Sequence, residues 1–288
     1  MTKDKQPIFI GGLHRSGTSL IRAILGSHPD IAIYSSDLPL WTKFYEKYQA
    51  LDLNDPQARQ MLIEEITTHA KASDLLVTVK DRVEAKLNEL STRGSINFGI
   101  VCEQFLQECA NARQRSRWGL KTPYNEFFAD AIFAAYPNAK MVQMIRDPRN
   151  VAVSIQSRGW SKTLNKTCKE WKGSVRWARS HSQKYAGSYI AVRYEDLVQD
   201  SETIVKQVCQ VVELDYSPDL LQMEGHKGWR GANSYFDDIG YKKQGISQSA
   251  LNRYVELLDE SNLQFIQEHL KDEMTELNYQ LEPSRSLI

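Results

Sequence analysis

Two clusters in this 288-residue chain carry residue types at spacings suited to gripping phosphate esters. The first is Gly11-Gly12-Leu13-His14-Arg15-Ser16-Gly17-Thr18-Ser19. It lies between the apolar run Pro7-Ile8-Phe9-Ile10, which reads as a strand, and a helix that begins at Thr18 and ends near Gly26 and Pro29. A strand, a glycine loop and a helix N-terminus together make an anion site, because loop amides converge on one point and the helix dipole favours negative charge there. Gly12 and Gly17 have the spacing of the two glycines of a nucleotide P-loop. Thr18 stands where such a loop carries its lysine, and a cation comes earlier, at Arg15. That exchange argues against ATP and leaves the identity of the phosphate ester open. The second cluster runs from Met144 to Arg158. Arg146 ends an apolar strand, Ser154 lies about two turns into the following helix, and Arg158, four residues further on, would share its face. An arginine fork with a hydroxyl suits a terminal phosphate. The plainer alternative is a surface helix that carries arginines.

Those residues need a scaffold. Strand patterns at 7–10, 117–121, 139–145 and 188–194 alternate with helical patterns at 124–136, 148–158, 164–185 and 200–214. Such alternation implies an α/β fold: a P-loop-like three-layer arrangement with a central, mainly parallel sheet flanked by helices. Ligands then sit at the carboxyl ends of the strands, after "PIFI", "WGLK" and "KMVQMI". Residues 40–112 look mostly helical and read as an insertion that roofs a cleft. The stretch 225–245, with five glycines among aromatics and cations, reads as a lid loop before helices at 247–260 and 262–274. The length fits one domain spanning 1–288.

Composition narrows the partners. Lys plus Arg equals Asp plus Glu at 36 each, so no global field draws the chain to nucleic acid or to an anionic membrane. No apolar run is long enough to span a bilayer, and "MTKDKQP" has no leader character. Cys102, Cys109, Cys168 and Cys209 are widely spread, which reads as reduced thiols in a cytoplasmic protein. The six histidines form no metal-ligand pattern, so no metal is expected. Oligomeric state has no readable signal.

"FIGGLHRSGTSLIRAILGSHPDI" followed by "PNAKMVQMIRDPRNVAVSIQSR" resembles the sulfotransferases that use 3′-phosphoadenosine 5′-phosphosulfate (PAPS), closest to the tyrosylprotein sulfotransferase branch and its bacterial relatives. The resemblance covers roughly 7–33 and 117–200. It implies that Arg15, Ser16, Gly17, Thr18 and Ser19 hold the 5′-phosphate and sulfonate. Arg146 and Ser154 would bind the 3′-phosphate, with Arg158 in support. The absent P-loop lysine then has a reason: the donor has no β,γ-phosphate–Mg²⁺ unit to grip and carries an extra phosphate on its ribose.

The implied reaction moves a sulfonate to a hydroxyl acceptor (a small molecule, lipid, glycan or peptide tyrosine) by in-line transfer through a loose transition state. Catalysis is then mainly positioning and electrostatic stabilisation. Arg15 and the helix N-terminus are placed for this, and Lys121 matches the family's K-x-P lysine, which implies a role at the sulfonate or bridging oxygen. The acceptor also needs a base. The branch's glutamate position holds Ser36, and the nearest carboxylate is Asp37, which is either the base or a helix cap; His181 and His226 are further candidates. Tyr194 in "VRYEDL" matches a family motif and either packs the sheet or touches the donor. Lys243, with Tyr241 and Lys242, lies where the family supplies a basic donor contact, and Trp229, Arg230 and Tyr235 suit the adenine or the acceptor pocket. His14 replaces a proline and reads as structural, while Trp118, Trp171 and Trp177 read as core or helix packing. Two other functions stay open on residues alone: a P-loop small-molecule kinase, and a nucleotide-binding module without catalysis.

Overall fold

The structure, a computed structural model, describes residues 6–34, 38–69, 74–223 and 246–283. In chain order the elements are β1 (Ile8–Gly12), α1 (Thr18–Leu25), β2 (Ile31–Tyr34), a π-helical turn (Leu40–Phe44) running into α2 (Tyr45–Tyr48), α3 (Pro56–Thr68), α4 (Asp74–Ser91), α5 (Phe98–Asn111) and β3 (Arg117–Lys121). A 3₁₀ turn (Asn125–Phe128) leads into α6 (Ala129–Ala135), then β4 (Lys140–Ile145), α7 (Pro148–Gln156), α8 (Leu164–Lys184) and β5 (Tyr189–Arg193). There follow α9 (Tyr194–Gln199), α10 (Ser201–Val212), a 3₁₀ turn (Pro218–Gln222), α11 (Arg253–Leu257) and α12 (Glu260–Glu276).

The five strands form one parallel sheet in the order β2-β3-β1-β4-β5. Its central strands are buried along their whole length, as a parallel sheet covered on both faces requires, and for that reason they read as unbroken apolar runs. Side chains alternate between the faces. Phe9, Trp118, Leu120 and Met141 pack against the helices of 40–112, and Ile8, Ile10, Val142 and Met144 pack against α1 and α10. A third apolar cluster joins α7 and α8 to α11 and α12.

Several expectations change. The region 40–112, read as an insertion, packs as a flanking layer on the sheet, with Trp41, Phe44, Phe98 and Phe105 in the same core as Phe9. Strand β2 was not foreseen: "IAIY" is too short for its period to be read, and it is a strand because it pairs with β3 from Ile31↔Arg117 to Tyr34↔Leu120. The helix expected at 124–136 opens as a 3₁₀ turn because Tyr124 sits at φ +71°. The helix expected from residue 247 begins only at Arg253. The stretch 225–245 lies outside the described residues.

Candidate active site

The β1–α1 loop is shaped by glycines for reasons of both conformation and space. Gly12 has φ +122°, and a Cβ there would lie 2.4 Å from the Met144 carbonyl oxygen of the neighbouring strand. Gly17 has φ +94°, and a Cβ would lie 2.5 Å from Cδ2 of Tyr194. Arg15, between them, also takes a positive φ, 71°. No side chain caps α1 at Gly17, which leaves the helix's first amides to an incoming anion. Ser16 is 1% exposed, and its hydroxyl has no hydrogen-bond partner among the described residues.

The second cluster meets this loop. Arg15 Nε donates to Ser154 Oγ at 2.7 Å, across 139 residues of sequence. Arg146 Nη1 donates to the Arg15 carbonyl at 3.0 Å, and Nη2 donates to the Ala250 carbonyl at 2.7 Å. The Arg146 guanidinium lies 4.5 Å over the Tyr194 ring, and its buried Nε has no partner among the described residues. Tyr194 opens α9 and packs directly beneath Gly17, so it serves the loop as well as the sheet.

Local sequence explains why Arg146 is held at this strand end. Asp147 caps α7 by accepting from Arg149 N–H at 2.9 Å, and Pro148 fills the first helical turn as expected. The Asp147 carboxylate also pairs with Arg149 Nη2 at 2.6 Å. The Asp147 N–H donates to Glu195 Oε1 at 3.0 Å, and Trp171 Nε1 donates to the Arg146 carbonyl at 2.8 Å. Burial pushes the Glu195 carboxyl up, against the pull of the Asp147 N–H.

Lys121, at the carboxyl end of β3 and in register with Ile10 of β1, is 1% exposed. The chain turns after it at Thr122-Pro123-Tyr124, and Tyr124 N–H donates back to the Gly12 carbonyl at 3.1 Å. The Tyr124 hydroxyl donates to Glu170 Oε2 at 2.8 Å, and Lys162 Nζ donates to that hydroxyl at 3.0 Å. Burial, then the Glu170 hydrogen bond, pushes the Tyr124 phenol well above its ordinary range. Tyr124, Trp160, Ser161, Lys162, Lys166 and Glu170 line a cleft of about 380 Å³. His14 borders it, its ring 5.1 Å from that of Tyr124 and 5.2 Å from that of Trp160, both edge-on.

Arg15, Ser16, Gly17, Thr18, Ser19, Arg146, Ser154 and Tyr194 come together, with Lys121 on the adjacent strand end. Arg158 does not share a helix face with Ser154: α7 ends at Gln156, and Arg158 is exposed in a turn closed by Gly159 at φ +65°. His181 packs on Trp177 beside the start of β5, at the opposite strand ends, and burial lowers its pKa. Trp118 and Trp171 are core residues. Asp37, Ser36, His226, Trp229, Arg230, Tyr235, Tyr241, Lys242 and Lys243 lie outside the described residues. No cluster of metal-ligating side chains occurs among the described residues.

Sequence reasoning missed Glu126, which is fully buried, accepts from Gly12 N–H at 2.6 Å and has its carboxyl pushed up by burial. It also missed Glu170 and Lys162. Their sequence positions look like ordinary helix and loop surface.

A family model described as the sulfotransferase family matches residues 7–218. A Caenorhabditis briggsae protein that carries a protein-tyrosine sulfotransferase name is 26% identical over 271 residues, 90% of this chain and 84% of that protein. Protein-tyrosine sulfotransferase 1 of Danio rerio is 23% identical over 81% of this chain, which spans 60% of that protein's length. Among solved structures, the sulfotransferase domain from the curacin biosynthetic pathway shares the fold, with a TM-score of 0.61 at 18% identity over 96% of this chain and 99% of that one. The sulfotransferase domain of the Synechococcus PCC 7002 olefin synthase does so with a TM-score of 0.57 at 18% identity, over 93% and 97%.

Proposed function

The chain belongs to the sulfotransferase family and is a sulfonate-transferring enzyme, and from that membership we propose that its donor is 3′-phosphoadenosine 5′-phosphosulfate and its acceptor a hydroxyl. The observation that carries the donor assignment is the meeting of the two phosphate-type clusters: Arg15 Nε on Ser154 Oγ at 2.7 Å, with Arg146 fastened to the Arg15 carbonyl at 3.0 Å. A triphosphate needs one long cradle and a lysine. Two separated anion-binding elements held edge to edge fit an ester that carries a phosphate at each end of its ribose. The donor set fits as well. Around the loop stand a buried Ser16 hydroxyl and an Arg146 Nε, neither with a partner among the described residues, and a helix N-terminus without a side-chain cap.

In this reading Ser16, Gly17, Thr18 and Ser19 receive the 5′-phosphosulfate, and Arg146 and Ser154 receive the 3′-phosphate. Arg158, in its exposed turn just past the end of α7, supports the 3′-phosphate site as the resemblance implies. The bound donor supplies an activated sulfonate. Arg15 and Lys121 stabilise negative charge as it builds on the oxygen that bridges sulfonate and nucleotide, Lys121 being effective because burial excludes competing water. Asp37 takes the acceptor proton and Lys243 contacts the donor, both as the resemblance implies. Tyr194 holds the loop from beneath.

The acceptor enters through the cleft lined by Tyr124, Trp160, Lys162 and Glu170, which touches the loop through His14 and the Tyr124–Gly12 hydrogen bond. A tyrosyl hydroxyl is the first acceptor to try, because relatives carry that name. Small-molecule, lipid and glycan hydroxyls follow. The test is incubation with ³⁵S-labelled donor and, in parallel, a tyrosyl peptide and a metabolite extract. Label transferred to a hydroxyl product supports the assignment. Absence of transfer, together with stabilisation by ATP–Mg²⁺ and not by adenosine 3′,5′-bisphosphate, overturns it.

A further inference from the structure

Glu126 is fully buried, yet it stands against the loop that must receive an anion. A carboxylate there would repel an incoming phosphate, so its presence calls for a compensating role. Its contacts supply one. Oε2 accepts from Gly12 N–H at 2.6 Å, and Oε1 accepts from Ser174 Oγ on α8 at 2.8 Å. A Cβ at Gly11 would lie 2.8 Å from the Glu126 amide nitrogen and 2.9 Å from its Oε2, so the end of β1 is built around this residue. Ser174 Oγ in turn accepts from Gln143 Nε2 on β4 at 2.8 Å, and Gln143 accepts from the Tyr189 hydroxyl on β5. A buried polar chain thus runs along one face of the sheet from the loop to the edge strand β5.

Gly12 is where the strand must turn into the loop. Its N–H is held by Glu126 and its carbonyl accepts from Tyr124 N–H at 3.1 Å, so the peptide groups on both sides of its φ of +122° are fixed by partners more than a hundred residues away. We propose that Glu126 is a positioning residue that sets the β1–α1 loop in its anion-receiving shape before the donor arrives, with Ser174 bracing its carboxyl group. Burial pushes its carboxyl up, against the pull of the Gly12 N–H and the Ser174 hydroxyl. The inference rests on the donor assignment above.

Four variants test it: Glu126→Gln, Glu126→Ala, Ser174→Ala and, at the far end of the same chain, Tyr189→Phe. Affinity for adenosine 3′,5′-bisphosphate is measured by calorimetry and the unfolding midpoint is measured separately. Glutamine keeps an acceptor for the Gly12 N–H and binds within about threefold of wild type. Alanine leaves that N–H buried and unsatisfied and weakens binding roughly tenfold or more. Tyr189→Phe lowers the unfolding midpoint while leaving affinity within about threefold. A folded Glu126→Ala protein that binds as wild type does would overturn the proposal, as would a Tyr189→Phe protein that loses as much affinity as the alanine variant. Should Glu126→Ala not fold, Ser174→Ala decides. A loss clearly beyond that of Tyr189→Phe supports the role, and an equal affinity removes it. Wild-type protein that fails to bind the bisphosphate fails the donor assignment itself, a result distinct from any pattern among variants.

Discussion

Replacing Arg146 with alanine separates a structural fastening from a phosphate contact in one residue. Arg146 is 7% exposed, donates to the carbonyls of Arg15 and Ala250, and lies over the Tyr194 ring. Its removal loosens the loop for any ligand, at about 1–2 kcal/mol for buried hydrogen bonds lost, or roughly 5- to 30-fold in affinity. If its guanidinium also meets the 3′-phosphate, a charge-assisted hydrogen bond of about 1.5–3 kcal/mol is lost in addition, but only for ligands that carry that phosphate. The assay is calorimetric binding of adenosine 3′,5′-bisphosphate and adenosine 5′-monophosphate to wild type and to Arg146→Ala. In the cross-ratio of the four constants the common loosening cancels. The expected cross-ratio is roughly 10- to 150-fold in favour of a specific 3′-phosphate contact. Arg146→Lys, which keeps the charge and loses the fork, falls between. Equal losses for the two ligands, a cross-ratio near one, would refute the assignment of Arg146 to the 3′ site.

Gly17→Ala forces a Cβ to 2.5 Å from Tyr194 at a φ of +94°, so it lowers the unfolding midpoint and weakens bisphosphate binding; an unchanged midpoint would contradict the packing. Lys121→Ala reduces turnover by roughly 100-fold or more while bisphosphate affinity stays within about threefold, and equal effects on both would reject a role in the transition state. The Glu126 carboxyl is raised in the folded protein, so its contribution to stability is full below the ordinary carboxylate range and is lost as pH rises through the folded value. Glu126→Gln, which cannot ionise, therefore gains stability relative to wild type as pH rises above the ordinary carboxylate range in urea titrations, and a pH-independent difference would contradict this. Burial pushes Cys109 up to about 12, Cys168 and Cys209 up to about 11, and Cys102 higher still. Folded protein should accordingly resist iodoacetamide at about pH 8 and react only on unfolding.

The glycine loop and the Arg146 strand end were legible because their signals are local. Strand, glycines and helix start follow one another within residues 8–25, and a strand ending in Arg-Asp-Pro announces the next helix. What joins them was not legible. The Arg15–Ser154 and Arg146–Ala250 contacts span 139 and 104 residues and exist only once the sheet order is set. Glu126 looks like one more polar residue in a helix, and only its burial beside Gly12 distinguishes it. Strand β2 escaped because four apolar residues have no readable period. The shared helix face of Ser154 and Arg158 is not legible as broken in the sequence, because the backbone turns only after Gln156.

The central claim is that one site holds a nucleotide phosphorylated at both 3′ and 5′ positions and uses it to deliver a sulfonate. The most direct measurement is a side-by-side titration of wild-type protein with adenosine 3′,5′-bisphosphate and with ATP–Mg²⁺, followed by calorimetry and thermal unfolding. Tight binding and a raised unfolding temperature with the bisphosphate, and neither with ATP–Mg²⁺, is the predicted result. Stabilisation by ATP–Mg²⁺ with no response to the bisphosphate would contradict it.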